Sequence, residues 1–336
     1  MTAPSPAPPR WLNAADVLAA MPPLAERLVL AERTMVALVA DAELPPKIGV
    51  HPRPDGSFAH AMPAHLRGRE PDGVDDLLGI KWIAGFPANR ALGLPAIHGL
   101  VLLTDPATGV PLAVLDAGPI TAERTAAISG VAIRQFAPAV PGRAPRVALL
   151  GAGVQARSHL PVIGAVLPGA EVEIFDRHPE RAAEVADVAQ ATDGIAGARA
   201  APSARHAASG ADVVVTVASF TSPAERQSLT PEWLGRDALV VAVDYATYVS
   251  AAVAKDAVLF VVDERGQFLA NRDAGNFDGY PDPALTIGES IIARTPRPEA
   301  ARVLVTHLGV GLADLVFGDA ILRRATQLGL GTVLAR

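Results

Sequence analysis

Gly151-Ala152-Gly153-Val154-Gln155-Ala156 follows a short apolar run, Arg146 to Leu150, and opens a stretch with helical patterning. A dinucleotide site needs that order. The first glycine makes the tight turn, and the second lets backbone approach a pyrophosphate. The small third residue, Ala156, lets helix and strand pack closely, and helix N-terminal amides then hold the phosphates. An acidic residue further on, Asp176, ends the next strand-like run, as a ribose-binding carboxylate would. Asp176 would bind both ribose hydroxyls of NAD and repel a 2′-phosphate. Arg177 comes next and could bind that phosphate, so NADP stays open beside NAD. The plain alternative is a strand-to-helix turn with no ligand.

Three cations in the first half suggest an anion. The chain has only three lysines, Lys47, Lys81 and Lys255. Lys81 stands inside the apolar run Gly79-Ile80-Lys81-Trp82-Ile83, where an ammonium is costly unless paired. It is either an edge residue reaching for water or a site residue. Arg124 is expected near a helix start, where a cation gains nothing from the dipole. It meets either an anion or a surface partner such as Glu123 or Asp116. Lys47, beside a strand, is a candidate third cation. Convergence of the three would suit a carboxylate substrate.

The elements that must position these groups divide near residue 140. Before it, an amphipathic helix over 23–41 leads into short apolar runs, IKWIAGF, HGLVLLTD and PLAVLDA, which read as antiparallel strands. Pro54-Asp55-Gly56 reads as a turn between two strands, and Thr121 as the cap of a helix running to 137. After 140, strands alternate with helices, the pattern of parallel β-α-β units. From Glu299 the pattern reads as helix again, in two segments. Residues 1–10 are Pro/Ala-rich and expected to be loose.

Composition narrows the class. Of 336 residues, 50% are hydrophobic and 19% charged, which excludes a disordered chain. A net charge of −6 gives no reason to expect nucleic-acid binding. There is no cysteine, hence no disulfide, thiolate metal site or cysteine nucleophile, and no metal is expected. The start lacks a signal-peptide pattern and no apolar run spans a bilayer, so a cytoplasmic protein with no membrane association is expected.

Met62-Pro63-Ala64, GIKWIAGFPAN (79–89), Gly93-Leu94-Pro95, LLTDPATGVPLAVLDAGPITAERTAA (102–127) and LLGAGVQA (149–156) occur in that order. This array resembles the ornithine cyclodeaminase/μ-crystallin family, densely from about 45 to 156; GVGLADLVFGDAI near the C-terminus fits more loosely. The resemblance implies an α/β fold: a Rossmann domain, residues 140–304, inserted in an α+β substrate-binding and dimerisation domain, residues 1–139 plus 305–336. It implies a homodimer, and activities at the Cα–N bond of amino acids. Lys81 matches the lysine that holds the substrate carboxylate and polarises the reacting centre. Arg124 matches a carboxylate-binding arginine close to the cofactor, and Thr125 should approach the pyrophosphate. Lys47 stands where cyclodeaminases often have arginine. Asp244 matches their catalytic aspartate; as a strand-end carboxylate it also stands where parallel sheets place reactive groups, or it is a turn cap. Val217, Ala218 and Val243 complete the expected cofactor contacts, and Met62 and His307 the expected substrate contacts.

The departures bear on the reaction. Where ornithine cyclodeaminases carry a glutamate for the substrate's amino groups, this chain has His60. After Asp244 come Tyr245-Ala246-Thr247-Tyr248 instead of the usual Pro-Gly-Lys. His307 stands where Ser or Lys is frequent. The expected function is hydride exchange between NAD(P) and an amino-acid Cα through an imine. The leading form is a cyclodeaminase acting on an ornithine-like substrate. A ketimine reductase or amino-acid dehydrogenase is the alternative, and a non-catalytic ligand-binding protein of the μ-crystallin type the rival of another class. Retained Asp244 favours the first; His60 favours the reductase.

Overall fold

The computed structural model describes residues 7–54, 56–68, 76–219 and 226–335, with only the backbone at Arg90. In chain order the elements are β1 (Arg10–Leu12), α1 (Ala14–Ala19), α2 (Leu24–Ala40), β2 (Ala42–Glu43), β3 (Ile48–Val50), β4 (Phe58–Leu66), β5 (Leu77–Gly85), β6 (Ile97–Thr104), β7 (Pro111–Asp116) and α3 (Ala117–Phe136). Then come β8 (Arg146–Leu150), α4 (Val154–Val166), β9 (Ala170–Phe175), α5 (Pro179–Gln190), β10 (Ile195–Ala200), α6 (Ala204–Ala208), β11 (Val213–Thr216), β12 (Leu239–Ala242) and α7 (Ala251–Asp256). The last are β13 (Leu259–Val262), α8 (Arg265–Asp273), β14 (Leu285–Thr286), α9 (Ile287–Ile292), β15 (Val303–Thr306), α10 (Gly311–Leu328) and β16 (Thr332–Val333). The chain divides into two compact units, Met1–Arg124 with Val310–Arg336, and Thr125–Gly309.

The first unit is built on a sheet of order β16-β1-β7-β6-β5-β4-β2, with β3 also on β4. Its pairs are antiparallel except β1 with β7. Period-two patterning separates its two faces. Met62, Lys81, Val101 and Leu115 form one cross-strand row on the inner face, and all four are buried. Helix α10 covers that face, packing on β4, β5 and β6. The approach is close enough to require glycine: a Cβ at Gly311 would sit 2.5 Å from the Met62 carbonyl oxygen.

The second unit is a doubly wound parallel sheet of order β10-β9-β8-β11-β12-β15-β13-β14. Its first strand, β8, lies between β9 and β11, so the strand order reverses there. Ligands bind such sheets beyond the strand ends at that switch point. The residues of β11, β12, β13 and β15 are buried throughout, as strands covered on both faces must be.

Three sequence expectations need correction. Residues 303–306, expected as helix, form β15, a central strand between β12 and β13. A short run such as Val-Leu-Val-Thr, buried on every side, carries no periodicity that separates strand from helix. Thr121 caps nothing: α3 begins four residues earlier, at Ala117, where the Asp116 carboxylate accepts from the Gly118 N–H at 2.8 Å. Arg124 therefore sits in the helix interior. Arg10, expected in a loose segment, begins β1. Of the Pro54-Asp55-Gly56 turn, Asp55 lies outside the described residues; β3 and β4 on either side pair antiparallel. No described helix is long and apolar enough to cross a membrane.

Candidate functional site

In the first unit, the register of β4 and β5 sets Lys81 opposite Met62, and α10 brings an acid to it. Lys81 Nζ lies 2.8 Å from Asp314 Oδ2, and Arg124 Nε donates to Asp314 Oδ1 at 3.2 Å. Lys81 also reaches Thr121 Oγ1 at 3.4 Å. Lys81 and Asp314 are 1% and 0% exposed, and Arg124 only 5%, so these charges are held out of water. Such a cluster is expensive to bury, and two cations against one carboxylate leave it short of negative charge. Burial, then Arg124 and Lys47, push the Lys81 pKa down to about 7, against the pull of Asp314. Asp314 is the site residue the sequence reading did not single out. The one signal in the sequence is an acid inside the apolar run Gly311-Leu312-Ala313-Asp314-Leu315-Val316-Phe317; that it balances two buried cations shows only in the fold.

His60 lies in β4 opposite Ile83, with its ring stacked 4.6 Å from that of Phe58. Burial, followed by the positive charges of Lys47, His51 and Lys81, lowers its pKa to about 4. It is therefore a neutral imidazole at neutral pH. Lys47 is half-buried just before β3 and acts on both His60 and Lys81. The position where a diamine enzyme has a carboxylate thus carries no negative charge and faces positive ones.

In the second unit, the glycine loop joins β8 to α4. Gly151 has φ 118°, and a Cβ there would sit 2.8 Å from the Val217 carbonyl, so only glycine fits. Gly153 is the N-cap of α4 with no side-chain acceptor, and a Cβ there would meet nothing within 4 Å. The first-turn amides of α4 thus have no side-chain cap, with open space beside Gly153, while the Gly151 N–H is given to the Phe175 carbonyl at 2.8 Å. Val154 is 71% exposed beside it, Gln155 is in the first turn, and Ala156 is buried. Asp176 spans the same loop: one carboxylate oxygen accepts from the Ala152 N–H and the other from the His178 N–H, both at 2.9 Å. Each oxygen keeps a further lone pair for a hydroxyl donor. Arg177 is exposed.

Asp244 follows β12 and is 3% exposed. Its Oδ1 accepts from Thr216 Oγ1 at 2.9 Å and its Oδ2 from the Ala218 N–H at 3.3 Å. Ala218 and Val217 are the residues that crowd Gly151, so this acid and the glycine loop share one wall. Burial raises the Asp244 pKa to about 6, with the Thr216 and Ala218 hydrogen bonds opposing. Val243, half-buried, precedes it. The turn behind it is strained: Tyr245 and Ala246 have φ 53° and 59°, two successive left-handed residues at about 1–2 kcal/mol each. It persists because both ends are tied. Thr247 Oγ1 donates to the Asp244 carbonyl at 2.6 Å, and the Leu229 N–H to the Tyr248 carbonyl at 2.8 Å.

The first unit therefore assembles Lys47, His60, Met62, Lys81 and Arg124 on its inner face, and the second assembles the glycine loop, Asp176, Val217, Ala218, Val243 and Asp244. Arg124 closes one unit and Thr125, buried, opens the other, as consecutive residues of α3. His307 belongs to the second unit, where its Nε2 lies 2.8 Å from Ser129 Oγ. Among the described residues no group of three or more His, Asp or Glu could hold a metal ion.

Comparison with known proteins bears on this arrangement. A family model described as the ornithine cyclodeaminase/mu-crystallin family matches residues 17–314. The chain is 34% identical to the nodulation efficiency protein NfeD of Rhizobium meliloti, over 98% of this chain and 99% of that one. It is 31% identical to the ketimine reductase mu-crystallin of Mus musculus, over 77% of this chain and 78% of the relative. The Δ1-pyrroline-2-carboxylate reductase of Thermococcus litoralis, solved with NADH and L-proline, shares the fold. Its TM-score is 0.81 at 23% identity, over 97% of this chain and 100% of that one.

Proposed function

We propose that this chain, which belongs to the ornithine cyclodeaminase/mu-crystallin family, is a nicotinamide-dependent reductase of α-imino acids, with amino-acid dehydrogenation as its reverse. The observation that carries the reading is the buried Lys81–Asp314–Arg124 cluster, whose two cations share one carboxylate. A substrate carboxylate supplies the missing negative charge, and Lys47 adds to the same field. Neutral His60 offers a side-chain ammonium no negative charge and the cations Lys47 and Lys81 beside it repel one, which is why the reductase is preferred here over the cyclodeaminase acting on an ornithine-like substrate.

The glycine loop fits a dinucleotide: Gly151 fills the only conformation its neighbours allow, and Gly153 leaves open space before uncapped amides. Residues 151–156 with Thr125 would hold the pyrophosphate. Asp176 would hold the ribose, favouring NAD over NADP, and Val217, Ala218 and Val243 would contact the remainder. When bound, the dinucleotide supplies or accepts the hydride. The protein's own part is charge and protons. Lys81 and Arg124 orient the carboxylate, and the Lys81 ammonium withdraws electron density from the adjoining carbon. Asp244, protonated, donates to the nitrogen as it becomes an amine; in reverse, its carboxylate takes that proton back.

The test is NADH consumption with cyclic ketimine acids, with ammonia release from ornithine followed in parallel. Turnover of the ketimines is the expected result. Ammonia release from ornithine without net NADH change would instead establish the cyclodeaminase. Dinucleotide or ligand binding without turnover would establish a binding protein.

The chain is also proposed to work as a homodimer, through the outer face of its first sheet. Ala61, Trp82 and Leu100 align there in one row, and Pro63, Ile80, Leu102, Val114 and Trp11 in the next. Trp82 and Leu100 are 46% and 41% exposed, an apolar face that a second copy would cover. Sedimentation should give a dimer for the wild-type chain and a monomer for Trp82→Asp; a monomeric wild type would end this reading.

A further inference from the structure

Three buried side chains of the second unit form a row that the reaction itself does not require. His159 Nδ1 lies 2.6 Å from the Gln155 carbonyl oxygen. His159 Nε2 lies 2.8 Å from Ser129 Oγ, and Ser129 Oγ lies 2.8 Å from His307 Nε2. Ser129 and His159 are 0% exposed and His307 1%. Polar groups this deep must be matched donor to acceptor.

The matching has one solution from the backbone end. A carbonyl oxygen only accepts, so His159 carries its proton on Nδ1. Burial keeps the ring neutral, with its pKa lowered to about 4. Its Nε2 is then an acceptor, so the Ser129 hydroxyl must donate to it. The Ser129 oxygen in turn accepts from His307, which carries a proton on Nε2. The row thereby fixes a proton on Nδ1 of His159 and on Nε2 of His307.

Two members of the row stand where elements meet the dinucleotide edge of the sheet, and the third lies within α3. Gln155 is in the first turn of α4, immediately after the glycine loop. Ser129 is one helical turn beyond Thr125 on α3, hence on the same face. His307 directly follows β15. Pro161 deprives α4 of one backbone donor, the one that would bond the Arg157 carbonyl, and in the first turn the Gln155 carbonyl also accepts from Ser158 Oγ at 3.0 Å.

We propose that Ser129, His159 and His307 are positioning residues whose tautomer-locked row fixes the first turn of α4, and with it the glycine loop, for dinucleotide binding. The proposal rests on the nicotinamide reading above. Two measurements on the full chain test it. Nitrogen-15 spectra of the histidine rings should show His159 with Nδ1–H and His307 with Nε2–H; the reverse at His159 would overturn the row. NADH titration should show binding weakened by about tenfold in Ser129→Ala, equivalent to about 1.4 kcal/mol. His159→Asn keeps a donor toward Gln155 but drops the link to Ser129, and should do the same. In both variants the KM for NADH should rise while kcat at saturating NADH stays near the wild-type value. A general loss of structure would lower kcat as well. Wild-type affinity in Ser129→Ala would overturn the positioning role alone. No NADH binding by the wild-type chain, with the tautomers as assigned, would overturn the nicotinamide reading and the row's role with it.

Discussion

Lys81→Met should lower kcat/KM for imine reduction by about 10²–10³-fold, the usual cost of removing one preorganised electrostatic contact. Its melting temperature at neutral pH should nevertheless equal or exceed that of the wild type. The two halves of this expectation have one cause. Lys81 is wholly buried beside Arg124, and its ammonium is held at a net disadvantage despite Asp314. Methionine has a similar stem and no charge. It leaves Asp314 paired with Arg124, so no buried carboxylate is orphaned. The linkage gives a second check. The folded pKa of about 7 lies below the ordinary lysine value of 10.5. Between those values the unfolded chain holds the proton more strongly, so this group makes stability rise with pH across that window. Lys81→Met should lack that rise. An active Lys81→Met enzyme would overturn the assignment of Lys81; an inactive one that had also lost its fold would contradict the charge argument.

What the sequence made legible follows the physics of each signal. The glycine loop could be read because its requirements are local: a positive φ, a close backbone approach and a helix start fall within six residues. Lys81 could be read because an ammonium among β-strand apolar residues contradicts its neighbours. Asp314 could not be placed, because its meaning depends on Lys81 and Arg124, which are distant in sequence and meet it only through sheet register and helix packing. Position β15 was lost for a different reason. A four-residue strand buried on all sides has no polar face to reveal its period. The Arg124 argument from a helix start failed because Asp116, not Thr121, supplies the first acceptor of α3, yet Arg124 still meets an anion.

The same contrast holds for the histidines. His60, His159 and His307 look alike in sequence. In the structure, His60 is a neutral ring among cations, and the other two are joined through Ser129. None of this can be inferred from spacing, since each contact crosses between elements.

Asp244→Asn should reduce kcat by about 10²–10⁴-fold, the range for loss of a positioned general acid or base. The fold should survive. Asparagine has nearly the same shape, and the Thr216 hydroxyl can turn to accept from its amide while the carbonyl accepts from the Ala218 N–H. The pH profile distinguishes a proton-transferring acid from a turn cap. With a pKa near 6, Asp244 is protonated below that value and ionised above it. Reduction needs the proton, so its kcat should fall as pH rises through about 6. Dehydrogenation needs the carboxylate, so its kcat should rise over the same interval. Both limbs should vanish in Asp244→Asn. Stability should respond too: a folded pKa above the ordinary aspartate value of 3.8 means stability is lost as pH rises between 3.8 and about 6. The neutral variant escapes that loss and should melt higher than the wild type at neutral pH. A variant that kept its pH limbs would assign them to another group, and one that kept full kcat would reduce Asp244 to the cap of a strained turn.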